Sequence, residues 1–179
     1  MDSGLKWIKT VRSDGTANMN VTNFISNLYP TYLLRLDGRA GTDDSEPSAR
    51  VSFNNGATYH AGADYMVFIN FDRPGDTNNV NGATETSIPL SRSAAGAALG
   101  SASGEHITCD LWLTSTGTNL RYPSFGQIAG QFWNPSGTQN EIDGYAGVTV
   151  LSGTTAVQFA IQNTWTASSK VSVYGVKEG

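Results

Sequence analysis

The stretch ITCDLWLTS, residues 107–115, alternates apolar and polar residues along its length and decides the fold class. Successive side chains of a β-strand point to opposite sides, so Ile107, Cys109 and the two apolar residues that follow them share one face. Trp112 is the exception, because the alternation places this large aromatic side chain on the polar side. The pattern predicts a half-buried strand in a sheet with one packed face and one open face.

Other segments extend this prediction to most of the chain. In Ala156–Gln162 the apolar residues at 157, 159 and 161 face inward, which again indicates a sandwich strand. Ala63–Phe71 is apolar on both faces, which predicts a central strand or one whose outer side meets a partner. In Tyr32–Ala40 the inward residues are Tyr32, Leu34 and Leu36, and the outward residues are Leu33, Arg35, Asp37 and Arg39.

Six weaker strand candidates are separated by turns rich in Gly, Asn and Pro, and no interval carries the helix that a parallel βαβ sheet needs. About nine strands of this kind predict an all-β fold, an antiparallel β-sandwich that is jelly-roll-like. We expect a single domain over residues 1–179. The weaker candidates are Lys6–Arg12, Met19–Phe24, Ala49–Asn54, Gln127–Trp133, Tyr145–Leu151 and Val171–Val176.

Composition agrees with a β fold and excludes several classes of function. Only 15% of the residues are charged and 20 are glycines, a balance typical of short strands and tight turns. A net charge of −4 with scattered basic residues argues against a nucleic-acid partner, and no apolar run is long enough to predict a membrane span. Residues 1–12 lack the apolar centre of a secretion signal, and Cys109, the one cysteine, has no internal disulfide partner.

Residues 91–104, SRSAAGAALGSASG, form a low-complexity segment with two interpretations. The alanines favour a short helix, whereas the glycines at 96, 100 and 104 destabilise one. We therefore predict a mobile loop.

Several short motifs follow one another along the chain in a characteristic order. They are Trp7–Val11, Val51–Asn54, Gly126–Ile128, Phe132–Asn134 and the final Tyr174-Gly175-Val176-Lys177 element. This order resembles a group of small tailed-bacteriophage virion structural proteins, the head decoration and tail accessory proteins. The resemblance implies a virion role and a jelly-roll-like sandwich, and it supplies no catalytic residues. The segment Asp72–Gly104 departs from the pattern of that group.

Two acidic segments could hold a cation. Asp43, Asp44 and Glu46 carry oxygen atoms of the kind that Ca²⁺ prefers, but no EF-hand ladder of ligands follows them. The segment DRPGDTNN, with Asp72, Asp76, Asn78 and Asn79, has the residues of an ordinary turn at its centre. We interpret both segments as turns and expect no metal and no cofactor.

Candidate catalytic groups are scattered. Asp110 with Asp37, or Glu141 with Asp143, could in principle supply paired carboxylates for glycoside hydrolysis, but nothing in the sequence brings a pair together. His60 and His106 accompany many serines without a G-x-S-x-G elbow. Cys109 lies on the apolar face of its strand, which predicts an unreactive thiol. We therefore expect that the protein is not an enzyme.

Several aromatic side chains could form a platform for sugars or an anchor in a protein interface. The alternative is packing within or between strands. Trp112 is the strongest candidate, because its register sends it to the polar side of its strand. The candidates for a partner or glycan interface are Trp112, Trp133, Tyr122, Tyr145, Met66 and Phe68, with Trp165 as a further aromatic candidate.

The leading hypothesis is a capsid decoration or cement protein, or a related head accessory subunit, on the virion exterior and made in the host bacterial cytoplasm. Its partners would be phage capsid or tail proteins and further copies of itself, with a homotrimer as the expected oligomer. The second hypothesis is a tail-fibre or tail-tip module that recognises a host-surface glycan or receptor.

Overall fold

A computed structural model describes residues 4–26, 28–73, 76–92, 98–114, 124–150 and 152–177, and leaves out the side chains of 76–78 and 83. Within these residues the chain forms β-strands without an α-helix, so none of them belongs to a helix that could span a membrane. The strands are β1 (Gly4–Arg12), β2 (Asn18–Val21), β3 (Thr31–Gly38), β4 (Ser48–Ser52), β5 (Tyr65–Arg73), β6 (Asp76–Glu85), β7 (Ile88–Pro89), β8 (Ile107–Thr114), β9 (Ser124–Trp133), β10 (Gln139–Val148), β11 (Ala156–Ala160) and β12 (Lys170–Lys177).

The described strands form two antiparallel sheets, which confirms the predicted sandwich. The larger sheet has eight strands in the order β1-β12-β3-β8-β9-β10-β5-β6, and the smaller has four in the order β2-β11-β4-β7. Every second side chain of β8 is buried, as the alternation in residues 107–115 predicted. The buried residues of both sheets form one core cluster.

The strand pairing is that of a jelly roll with two added hairpins. Four nested antiparallel pairs, β1 with β12, β2 with β11, β3 with β8 and β4 with β7, make a long two-stranded ribbon. The ribbon folds over so that successive pairs fall alternately in the large and the small sheet, which is the double Greek key of a jelly roll. The hairpins β5–β6 and β9–β10 are inserted into this ribbon and widen the large sheet.

Tyrosine hydroxyls satisfy backbone groups where the two sheets meet. The Tyr65 hydroxyl, on β5 of the large sheet, accepts a hydrogen bond from the Val51 amide of β4 at 3.1 Å and donates to the His60 carbonyl at 2.9 Å. The Tyr32 hydroxyl donates to the Ser26 carbonyl at 2.8 Å on the connection between β2 and β3. Burial raises the pKa of Tyr65 to about 12, because it disfavours the phenolate.

Three differences from the sequence prediction have local causes. Residues 72–79 were predicted as a turn because most of them are polar, whereas residues 76–79 begin the strand β6, which pairs with β5 alone. The strand β7 was not predicted, because it is only two residues long and ends in proline. In the predicted mobile loop at 91–104, Leu99 is buried and pairs with Ser45, whereas residues 93–97 lie outside the described part.

Gly175 shows why the C-terminal Tyr-Gly-Val-Lys element contains a glycine. It lies opposite Tyr32 on the core side of β12, and the ring of Tyr29 covers its Cα. A Cβ at this position would overlap the Tyr29 ring atoms Cγ, Cδ1 and Cδ2. The glycine therefore lets the ring close this end of the sandwich.

Gly175→Ala is expected to lower the free energy of unfolding by about 1–3 kcal/mol, because the added methyl group displaces a packed ring. Urea denaturation followed by circular dichroism measures this loss. Gly126→Ala is the matched control, because a Cβ at Gly126 meets no atom within 4 Å. Equal stability of the two variants would contradict the packing role of Gly175.

Candidate binding face

The outer face is the surface of the large sheet that points away from the core. The strand register aligns large apolar side chains, three of them aromatic, in a row across this face. Trp7 of β1 lies opposite Tyr174, which lies opposite Leu33, which lies opposite Trp112. On the same face, toward the opposite edge of the sheet, Tyr145 of β10 lies opposite Phe68 of β5. We call the apolar band the set Leu5, Trp7, Tyr174, Val176, Leu33, Trp112, Tyr145, Phe68 and Met66.

Much of the apolar band is open to solvent. Trp7 is 59% exposed, Tyr145 is 53% exposed and Leu5 is 50% exposed. Leu33 points outward as its sequence pattern predicted, yet it is only 1% exposed. Its neighbours on the adjacent strands are Tyr174 and Trp112, which cover it from both sides.

A hollow of about 470 Å³ lies at the β10–β5 side of the band. The rings of Phe68 and Tyr145 stack on one another at its rim, with centroids 4.9 Å apart and planes 25° apart. Gly147, which has no side chain, lies in the register between Ser124 and Met66. The lining is largely apolar and suits a hydrophobic side chain.

Charged residues lie at the opposite end of the outer face. We call the charged strip the set Arg12, Lys170, Asp37, Arg35, Asp110, Asp143, Glu141 and Asp72. Arg35 donates two hydrogen bonds to the Asp110 carboxylate, each at 2.7 Å, and this contact raises the pKa of the Arg35 guanidinium. Lys170 pairs with Asp37 at 3.2 Å and lies opposite Arg12 of β1.

Carboxylates dominate the other half of the charged strip. Glu141 of β10 lies directly opposite Asp72 of β5, and Asp143 follows on the same face of β10. Like charges directly opposite one another destabilise a sheet. Both Glu141 and Asp72 are exposed. The strip therefore runs from basic side chains on β1 and β12 to acidic ones on β10 and β5.

The outward side of the small sheet differs. Its central residue Gln158 lies between Asn20 and Arg50 on the neighbouring strands, and the Gln158 amide donates to Asn20 Oδ1 at 3.0 Å. These polar side chains suit contact with water. The apolar exposure of the described residues is thus concentrated on the large sheet.

The structure brings five of the six predicted interface residues onto the outer face, and four of them, Trp112, Tyr145, Met66 and Phe68, belong to the apolar band. Trp133 lies on the same face at the charged end, where its ring stacks on that of His106 with the ring centroids 4.6 Å apart. Trp165, for which packing within the protein was the alternative, is 1% exposed and belongs to the core. Tyr122 lies outside the described residues.

Sequence reasoning missed Trp7, Leu5 and Tyr174. Ile8 and Val11 are also apolar, so β1 shows no clear alternation, and its register with β12 shifts between Trp7 and Lys9. Leu5 and Trp7 are two positions apart on one strand, which is the signal that could have identified them.

The acidic residues of the first cation candidate accept hydrogen bonds within the protein or lie in a turn. Asp43 Oδ1 accepts hydrogen bonds from the Ser101 amide at 2.7 Å and from the Ser101 hydroxyl at 2.8 Å. Glu46 Oε2 accepts from the Gln162 amide at 3.2 Å, and Asp44 adopts a φ of 55° typical of a turn. In the described part of the chain no three acidic, His or Cys side chains lie close enough to hold a metal ion.

The second cation candidate was wrongly placed in a loop. Its residues Asp72, Asp76, Asn78 and Asn79 lie in β5 and β6, where they belong to a continuous antiparallel ladder.

The described catalytic candidates are engaged in ion pairs, exposed on an open face or buried. Asp110 and Asp37 are paired with Arg35 and Lys170. Burial raises the pKa of the Cys109 thiol, which suppresses the thiolate. His60 Nε2 lies 2.8 Å from Asp64 Oδ2, and its ring lies against Phe53.

Comparison with known proteins leaves the family open. No family model and no curated protein matches this chain. Among solved structures, it is similar to the CBM2 module of the evolved Dit of Lactobacillus casei BL23 phage J-1, with 6% identity over 100% of this chain and 83% of the other. The TM-score is 0.23, and a likeness of this size carries no inference about function.

Asp43→Ala is expected to lower the free energy of unfolding by about 1 kcal/mol, because it removes two hydrogen bonds between the loops at 43 and 101. The loss should be the same with millimolar Ca²⁺ and with chelator, as measured by thermal unfolding. Asp43→Asn, which keeps an acceptor oxygen, should lose less. Stabilisation of the unmodified chain by Ca²⁺ that Asp43→Asn abolishes would restore the cation hypothesis.

Proposed function

We propose that this protein is a structural subunit of a tailed-phage virion that acts through protein contacts on the outer face of its large sheet. The apolar band is the observation that carries the proposal. Six large apolar side chains are exposed in the described residues, and five of them, all but Leu28, belong to the band. The exposed polar residue Gln127 of β9 separates Trp112 from Tyr145 and Phe68, so the exposed apolar side chains lie in two groups on one face. Exposed apolar patches mark interaction sites.

The energetics of the band favour a protein partner. Burial of apolar surface contributes about 25 cal/mol per Å², and aromatic residues supply large contact areas at the centres of interfaces. Trp112 occupies the middle of the band and is already half-buried by its neighbours. A partner that covers Trp7, Tyr145 and Phe68 would therefore form an interface around Trp112, whose side chain is already held in place by its neighbours.

Placement on a virion is supported by the order of sequence motifs that resembles decoration and accessory proteins of tailed phages. Within that group we favour a head decoration or accessory role, in which many copies each add a modest interface and together stabilise the particle. The subunit would need no catalytic activity. The ion pairs of Asp110 and Asp37 and the burial of Cys109 support this view.

One observation favours the alternative, a tail-tip glycan-binding module, because the stacked Phe68 and Tyr145 rings could contact a sugar face. Sugar recognition also needs polar groups around the ring. Among the described residues that line the hollow, Ser124 and Thr149 supply the only side-chain hydroxyls besides that of Tyr145. A protein side chain is therefore the better occupant.

The double variant Phe68→Ala/Tyr145→Ala tests the proposal in assembled phage. It should fold normally, because both side chains are exposed, and should be lost from particles, because it removes the rim of the hollow. Quantitative mass spectrometry of purified particles measures its copy number relative to the major capsid protein. Asn20→Ala/Gln158→Ala, on the outward side of the small sheet, is the matched control.

The wild-type chain should be present at a substantial fraction of the copy number of the major capsid protein. Full incorporation of the Phe68→Ala/Tyr145→Ala variant with lost host adsorption would overturn the proposal in favour of glycan or receptor binding. Full incorporation with normal adsorption would exclude both functions for this face.

A further inference from the structure

We infer that the outer face binds the same face of a second copy, and that the two copies are related by a twofold axis that runs along β8. This inference rests on the proposed function to the extent that both treat the outer face as a protein-binding surface. The observations that carry it are the positions of complementary residues in the sheet register.

The strand order places β8 at the centre of the region that carries the band. Seven consecutive strands, β1-β12-β3-β8-β9-β10-β5, span this region, with three on each side of β8. A twofold rotation about an axis above β8 and parallel to it would bring β1 of one copy over β5 of the other, and β12 over β10. The rotation does not change the position of a residue along the strand direction. The apolar band of one copy therefore lies over the apolar band of the other, and the charged strip of one copy lies over the charged strip of the other.

Within the band the superposition pairs large apolar residues. Trp7 of β1 comes over Phe68 of β5, and Leu5 comes over Met66, because each pair occupies the same row of the register. Tyr174 of β12 comes over Tyr145 in the same way. The protruding indole of Trp7 thereby meets the rim of the hollow. Twisted sheets pack face to face with strands within about 30° of parallel, which preserves these matches approximately.

Within the charged strip the same rotation pairs opposite charges. Arg12 of β1 comes over Asp72 of β5, and Lys170 of β12 comes over Glu141 of β10. The basic residues would relieve the repulsion between Glu141 and Asp72, which lie opposite one another in each copy. Arg35 and Asp110, near the axis, already neutralise one another within each copy. Two independent sets of residues therefore select the same axis.

The size of the face also suits a dimer. Seven strands at about 4.8 Å spacing and eight residues at about 3.3 Å give roughly 30 Å by 26 Å. This corresponds to about 800 Å² per copy, the size of a standard stable interface. A twofold arrangement uses one self-complementary patch on each copy, which fits the observed distribution better than the homotrimer that the sequence predicted.

Charge reversal at Arg12 and Asp72 tests the inference. Sedimentation velocity of the wild-type chain at tens of micromolar should show a dimer of twice 19.0 kDa. Arg12→Glu and Asp72→Arg should each weaken the dimer at least tenfold, because each reverses two symmetric contacts. Lys6→Glu is the matched control, because Lys6 is an exposed residue of β1 that points to the opposite side from Arg12.

Mixing the two variants provides the decisive measurement. In a heterodimer of Arg12→Glu with Asp72→Arg, the introduced carboxylate of one chain faces the introduced guanidinium of the other. At the second contact the unchanged Asp72 of one chain faces the unchanged Arg12 of the other, so opposite charges are restored at both contacts. The double variant should also dimerise. Arg12 and Asp72 are six strands apart in one chain, roughly 29 Å, so no contact within a chain can explain the rescue.

A wild-type monomer, or a mixture that stays monomeric, would overturn the dimer. If Phe68→Ala/Tyr145→Ala is nevertheless lost from particles, the proposed virion function stands and the face binds a different protein. If the rescue succeeds while that double variant enters particles normally, the dimer stands and the proposed function fails.

Discussion

The alternation of side chains along each strand is the constraint on which the rest of this structure depends. One set of residues fills the core between the sheets, and the other set must face water or a partner. The small sheet meets this requirement with polar residues such as Asn20 and Gln158. The large sheet does so only at its charged end. At its other end the apolar side chains of Trp7, Phe68 and Tyr145 are exposed.

The jelly-roll ribbon explains how residues from distant parts of the sequence reach one row. Its nested pairs place β12 between β1 and β3, so Trp7, Tyr174 and Leu33 become neighbours although they come from three separate regions of the chain. The inserted hairpins then extend the same face to Tyr145 and Phe68. The topology thus builds a surface patch that no single segment contains.

Local pattern predicted the architecture well and the site in part. The alternation in residues 107–115 indicated the burial of β8 and the outward direction of Trp112, and Met66 and Phe68 followed from a strand apolar on both faces. Tyr174 was missed because its significance depends on cross-strand register, which is not a local property of sequence, and Trp7 was missed because Ile8 and Val11 obscure the alternation of β1. The sequence left both packing and binding open for Trp165, since an isolated aromatic residue outside the strands carries no alternation, and the structure places it in the core. The strand β6 was missed because backbone pairing with β5 outweighs its weak propensity.

The central position of β12 in the β1–β12–β3 arrangement has a consequence for synthesis on the ribosome. Until residues 170–177 have left the exit tunnel, β1 has no strand to pair with in the large sheet and β3 lacks one of its two neighbours. A nascent or prematurely terminated chain therefore lacks a continuous outer face, as well as Tyr174 and Lys170. The outer face can therefore form only after translation of nearly the whole chain, and it depends on pairing between segments that lie more than 150 residues apart in the sequence.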